Sequence, residues 1–91
     1  MIKPTLLYAE DDQESRENYA FILKEYFSDI YLAQNGKEAL SLYYEKHPDI
    51  LLLDISMPLL NGLDLVKIIR KDDPNTHIIM LSAHSDRERL L

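Results

Sequence analysis

The chain has no cysteine, so it can build neither a disulfide framework nor a thiolate metal site. It also lacks any apolar run long enough to cross a bilayer, and the short apolar stretch at its start is broken by Pro4. Neither a signal peptide nor a transmembrane span is expected, and a cytoplasmic location fits. Positive charge is scarce: ten Lys and Arg stand against sixteen acids, a net charge of -6. That balance argues against nucleic acid or an anionic membrane as a direct partner. Repeats, low-complexity tracts and Gly/Ser linkers are absent, so residues 1–91 are expected to form one domain. A domain of this size buries only roughly 60–65% of its surface, which leaves a thin stability margin.

What is present is strict alternation of strand and helix patterns. Thr5–Ala9 is a short apolar run ending in acids. Ser15–Phe27 carries Tyr19, Ile22, Leu23, Tyr26 and Phe27 at helical spacing and predicts an amphipathic helix with these residues inward. Asp29–Ala33 is β-branched and aromatic, a second strand. Asn35 then reads as a helix N-cap with Glu38 three positions on, and that helix runs to about Lys46, before Pro48. Ile50–Leu53 is unbroken apolar, the pattern of a central strand buried on both faces. Asn61-Gly62-Leu63-Asp64 opens a third helix with Leu65, Val66, Ile68 and Ile69 inward and Pro74 beyond its end. His77–Leu81 reads as a fourth strand, followed by Ser82-Ala83-His84. Such alternation implies parallel strands joined by right-handed crossovers, a doubly wound α/β sheet whose ligands bind at the carboxyl ends of the strands. Finally, Ser85-Asp86-Arg87-Glu88 reads as a capping box followed by Leu90 and Leu91. A helix of under two turns is marginal, since isolated helices need ~12–15 residues, so the chain is expected to be a fragment of a longer domain.

Glu10, Asp11, Asp54 and Ser82 all fall at the carboxyl edge of the predicted sheet. Two ionised carboxylates ~5 Å apart repel by about 3 kcal/mol at an effective dielectric of 20, which raises a pKa unless a cation intervenes. Oxygen ligands without His or Cys point to Mg²⁺. An aspartate beside such an ion can attack a phosphoryl group and become an aspartyl phosphate, with the Ser82 hydroxyl positioned to hydrogen-bond it. Asp12 reads more naturally as the N-cap of the first helix than as a ligand. His47, His77 and His84 are scattered and read as surface residues, and the tyrosines as core or half-core.

The runs Leu6-Leu7-Tyr8-Ala9-Glu10-Asp11-Asp12, Asp49 through Gly62 and Ile78-Ile79-Met80-Leu81-Ser82-Ala83 resemble, in order and spacing, the receiver domain of two-component response regulators. The resemblance covers the whole chain. It implies a flavodoxin-like sheet of strand order 2-1-3-4, and a phosphoacceptor at Asp54. It further implies that Glu10 and Asp11 hold Mg²⁺, Glu10 through water, and that Ser56 lends its backbone carbonyl. Ser82 becomes the hydroxyl that turns toward the phosphoryl group, with Ala83 leaving space beside it. The resemblance also implies that Ser56 and His84 tune hydrolysis of the aspartyl phosphate and that Pro58 and Gly62 shape the loop into the third helix. The implied phosphodonor is a histidine kinase or phosphotransfer protein, and the implied consequence is a switched surface for an output domain or target protein.

The sequence departs from this family in ending before the fifth strand, its lysine and the last helices. A truncated receiver of this kind leaves its fourth strand as a bare edge, which predicts self-association through it. Three other readings fit less well. A phosphorylation-independent interaction module of the same fold is the alternative: the intact acid pocket argues against it, while the absent lysine keeps it open. A haloacid-dehalogenase-like enzyme needs an acid where Ser56 stands. A flavodoxin-like flavin carrier needs a Ser/Thr/Gly-rich loop after the first strand, where this chain carries acids that repel phosphate.

Overall fold

A computed structural model describes residues 2–81. The elements alternate as read: β1 (Thr5–Ala9), α1 (Gln13–Leu23), β2 (Asp29–Ala33), α2 (Gly36–Lys46), β3 (Ile50–Asp54), α3 (Gly62–Asp72) and β4 (His77–Leu81). All strand pairs are parallel and the order is β2-β1-β3-β4, the doubly wound arrangement expected. Ser82, Ala83, His84 and the capping box Ser85–Glu88 lie outside the described residues. The chain leaves β1 toward β2 and later returns to place β3 on the other side of β1. The connections after β1 and β3 therefore diverge, opening a crevice at their carboxyl ends.

Alternation along the strands sorts their side chains onto two faces. One face carries Leu7, Ala9, Ala33, Leu51 and Leu53, buried under Ala39 and Tyr43 of α2 and Leu65 and Ile69 of α3. Each large apolar side chain buried there contributes roughly 1.5–3 kcal/mol, which makes this face the main source of stability. The other face carries Tyr8 and Leu52 and meets α1, with the Tyr8 and Tyr19 rings edge-on at 6.4 Å. Tyr8, Tyr19, Leu23, Leu52 and Leu81 line an apolar cavity of about 330 Å³ on this side. Ile50 and Leu52 are consequently only half-buried, so β3 is sealed on one face rather than both.

The first helix departs from its sequence pattern. It runs from Gln13 to Leu23, two residues earlier at its start and four shorter at its end than predicted. Asp12 sets the start, accepting from the Ser15 N–H at 2.8 Å. The end follows from β2: the Ser28 N–H is tied to the Pro4 carbonyl at 2.9 Å, so the chain must leave the helix axis before Asp29. Tyr19, Ile22 and Tyr26, expected inward, are 47%, 58% and 66% exposed. No other described helix shares this face, so the flanks of the apolar stripe have nothing to pack against. Of the six tyrosines, Tyr8 and Tyr43 are buried and Tyr31 is half-buried, while Tyr19, Tyr26 and Tyr44 are exposed.

The other helices follow their signals. Asn35 accepts from Glu38 N–H at 2.8 Å, and α2 ends at Lys46 with His47 in the left-handed region (φ 47°) and Pro48 beyond. Asn61 accepts from Asp64 N–H at 2.9 Å, and Arg70 and Lys71 in the last turn of α3 complement its dipole. Leu65 and Ile69 are fully buried, with Val66 and Ile68 flanking them half-buried. Tyr43 joins α2 to the α3–β4 turn by donating to Asp73 at 2.7 Å. The Asp73 carboxylate also accepts from the Asn75 and Thr76 N–H groups.

Candidate functional site

β1 and β3 pair in the register Ala9↔Leu53, so the next residues, Glu10 and Asp54, emerge side by side at the crevice. Both are buried, Glu10 completely and Asp54 to within 1%. Asp11, exposed on the loop above, completes the group: one oxygen from each of Glu10, Asp11 and Asp54 lies within 4.8 Å of the others. The structure thus brings together the three acids singled out in the sequence.

Backbone and side-chain donors hold this cluster. Glu10 N–H donates to the Ala33 carbonyl at 3.0 Å, which extends the β1–β2 ladder past the last strand residue. One Glu10 carboxylate oxygen accepts from Asp12 N–H at 3.3 Å, and Ser56 N–H donates to Asp54 Oδ1 at 3.2 Å. Ser56 itself is exposed at the start of the β3–α3 loop. Arg16, from the first turns of α1, reaches back to the carbonyls of Glu10 at 2.7 Å and Asp11 at 3.4 Å. Sequence reasoning passed over Arg16. The available signal was a single cation in an acidic stretch, one helical turn past the Asp12 cap.

The other Glu10 oxygen, Oε1, is buried and meets no hydrogen-bond donor among the described residues. Glu10 accordingly titrates far from its ordinary value of 4.5, pushed up to about 7. Burial is the main cause, followed by a hydrogen bond to Asp54 that only protonated Glu10 can donate; the Asp12 N–H opposes the shift. Below that value Glu10 is favoured in its protonated form beside Asp54, and a cation at the same place would relieve the crowding of the carboxylates in the same way. The donors fit a hard ion: oxygen only, three carboxylates at mutual ligand distance, and one buried lone pair in need of a partner.

Fold and site together define an α/β protein with an anionic, oxygen-lined pocket at the switch point of a parallel sheet. Comparison with known proteins makes the class specific. The response regulator receiver domain family matches residues 6–91, and the chain belongs to that family, whose members act in two-component and chemotaxis signalling. It is 34% identical over 90 residues to the chemotaxis protein CheY of Halobacterium salinarum, covering 99% of this chain and 74% of that one. It is 37% identical over 78 residues to a response regulator receiver protein of Anaeromyxobacter sp. (strain Fw109-5), where it spans 86% of this chain but only 33% of the relative. Among solved structures, the receiver domain of the Francisella response regulator 1452 superimposes with a TM-score of 0.83 at 37% identity, over 96% of this chain and 72% of that one. An acidic Mg²⁺ site and phosphoacceptance are general to the family. No helix among the described residues is long and apolar enough to cross a membrane.

Proposed function

We propose that the chain is a phosphoacceptor receiver unit in which Asp54 takes a phosphoryl group from a phosphohistidine of a kinase or phosphotransfer protein. The observation that carries this reading is the convergence of Glu10, Asp11 and Asp54 with an unsatisfied buried oxygen on Glu10. Glu10, Asp11 and Asp54 would hold Mg²⁺, with the Ser56 carbonyl as a further ligand. Bound there, the ion supplies charge neutralisation at the phosphoryl oxygens.

The chain's own residues account for the remainder. Asp54 sits at a strand end, so its backbone cannot retreat, and Ser56 N–H fixes one carboxylate oxygen, leaving the other as the nucleophile. In transfer, an Asp54 oxygen forms a bond to phosphorus as the phosphorus–nitrogen bond of the donor breaks. The imidazole nitrogen leaves with that electron pair and takes up a proton. Ser82 would supply a hydroxyl to the phosphoryl group once it is in place. Signalling then consists of a change in the surface presented to an output domain or target protein in the cytoplasm.

The test is exposure of the chain to acetyl phosphate with and without Mg²⁺, read by intact mass. One added phosphoryl group only with Mg²⁺, absent from Asp54→Asn, is the expected result. Modification of the Asn variant overturns the assignment.

A further inference from the structure

The β3–α3 loop contains a backbone feature that the acid chemistry does not use. Leu60 N–H donates to the Pro58 carbonyl at 2.8 Å, closing a three-residue turn, and Leu59 at its centre has φ 69°. This is a γ-turn of the positive-φ kind (φ roughly +75°), rare and strained, unlike the common inverse form. His47 is the other described non-glycine residue at positive φ, and it closes a helix, where that conformation is ordinary. Leu59 closes no helix, and its side chain is 74% exposed, so burial does not offset the strain.

One glycine seats the turn and a second closes the loop that carries it. A Cβ on Gly36, the first residue of α2, would overlap the Leu60 carbonyl, and the Gly36 N–H approaches the Pro58 carbonyl at 3.5 Å. The γ-turn is thus seated on the N-terminus of α2 at both of its ends. Gly62 N–H donates to the Ile55 carbonyl at 2.9 Å, and a Cβ on Gly62 would overlap the Asp54 carbonyl. The loop is closed on itself between these points, and its near end is the Ser56 N–H bonded to Asp54 Oδ1. The Asp54 carboxylate is thus bonded to Ser56, the chain runs through Met57 into the γ-turn, and the turn rests against the start of α2.

We propose that Pro58-Leu59-Leu60 is a strained positioning element, which holds the Ser56 N–H against bare Asp54 and relaxes when Asp54 is loaded, shifting the start of α2. The proposal rests on the phosphoacceptor reading. Loading changes what the Asp54 oxygens require of the Ser56 N–H, and strain stored one turn away biases the loop toward the relaxed arrangement. Release of strain on loading contributes to the affinity for the loaded state.

Leu59→Gly removes the steric penalty at positive φ, and Leu59→Asn does so with less backbone freedom in the unfolded chain. The full chain and both variants are melted with and without Mg²⁺ plus beryllium fluoride, a tetrahedral phosphoryl mimic. The ligand-induced increment in melting temperature cancels any effect on the unfolded state. In both variants it should be smaller than in the wild type, with beryllium fluoride affinity weaker on the order of fivefold. The wild-type Gly36 amide resonance should move on loading. Equal increments in variants and wild type, or a stationary Gly36 amide, overturn the proposal while leaving the phosphoacceptor reading intact. A wild type with no increment overturns both.

Discussion

Thr5 and Asp49 exchange hydrogen bonds at the amino ends of β1 and β3. Thr5 N–H and its hydroxyl both donate to Asp49 Oδ2, at 2.9 and 3.2 Å, and Asp49 N–H donates back to the Thr5 hydroxyl oxygen at 3.0 Å. The clamp lies at the opposite end of the strands from the acids. It nevertheless helps to decide which residues meet there, because a one-residue slip between β1 and β3 would turn every side chain of the strand to the other face.

Asp49→Ala should therefore cost about 1 kcal/mol of stability, the exposed position keeping the value modest. Urea denaturation of Asp49→Ala, Thr5→Val and the double variant checks this as a cycle, and the two single losses should fail to add. Full additivity would show the two residues acting independently.

Glu10 predicts an unusual pH dependence. Its folded-state value of about 7 lies above its ordinary 4.5, so between those values the folded chain keeps a proton that the unfolded chain releases. Without divalent cations, stability should be greatest near the lower value and fall as pH rises toward 7, by on the order of 2–3 kcal/mol from this group. Glu10→Gln should flatten the profile across that window and melt higher than wild type at pH 8. A wild-type profile already flat between pH 5 and 8 would contradict the placement of Glu10.

Asp54→Asn removes the buried charge that presses on Glu10. It should abolish phosphoryl uptake while raising the melting temperature of the cation-free protein by a few degrees, since roughly 1 kcal/mol corresponds to 4–8 °C at this size. Differential scanning calorimetry in EDTA reads the second effect. A variant that melts lower than wild type there would be inconsistent with a repulsive pocket.

Arg16→Ala should loosen the acid loop by removing the donor to the Glu10 and Asp11 carbonyls. The expected loss is about 1 kcal/mol, seen as roughly fivefold weaker Mg²⁺ binding by titration calorimetry. Arg16→Lys should recover only part of it, because one guanidinium nitrogen, Nη1, meets both carbonyls at the end of a planar group whose reach and geometry a lysine ammonium does not reproduce. Unchanged Mg²⁺ affinity in Arg16→Ala would reduce Arg16 to a surface cation.

Tyr43→Phe deletes the hydroxyl that links α2 to Asp73 and should cost about 1 kcal/mol in urea denaturation at pH 7. Burial first and the bond to Asp73 second push Tyr43 up to about 12, and the same bond holds Asp73 below its ordinary value of 3.8. Its contribution is complete between those two titrations. It should fade as pH falls below the Asp73 range and again above pH 10, where the unfolded tyrosine ionises first. An identical cost at pH 3 and pH 7 would argue against the link.

Elements whose information is local were legible in the sequence. Asn35 and Asn61 announce their helices because an N-cap is a contact between residues three apart, and Ile50–Leu53 announces a strand by its unbroken apolar run. Glu10 and Asp54 were legible because acids at strand ends are anomalous against an apolar background. Tyr19, Ile22 and Tyr26 misled, since their spacing records a face that prefers cover and says nothing about whether cover is present. Arg16 and the Thr5–Asp49 clamp were invisible for a different reason. Their partners are backbone groups or distant side chains, brought near only by the fold.

The β1–β3 register has a further consequence, for folding itself. Glu10 follows the first strand and Asp54 ends the third, so the two acids meet only once the chain has closed the longest span of any described strand pair, across α1, β2 and α2. Any cation that prefers the joined acids binds the native pairing and not its precursors. It should slow unfolding more than it speeds folding wherever β1 and β3 join late on the pathway. The pocket then doubles as a reporter of central-strand docking, since cation occupancy during refolding marks the moment at which the two halves of the sheet come into register.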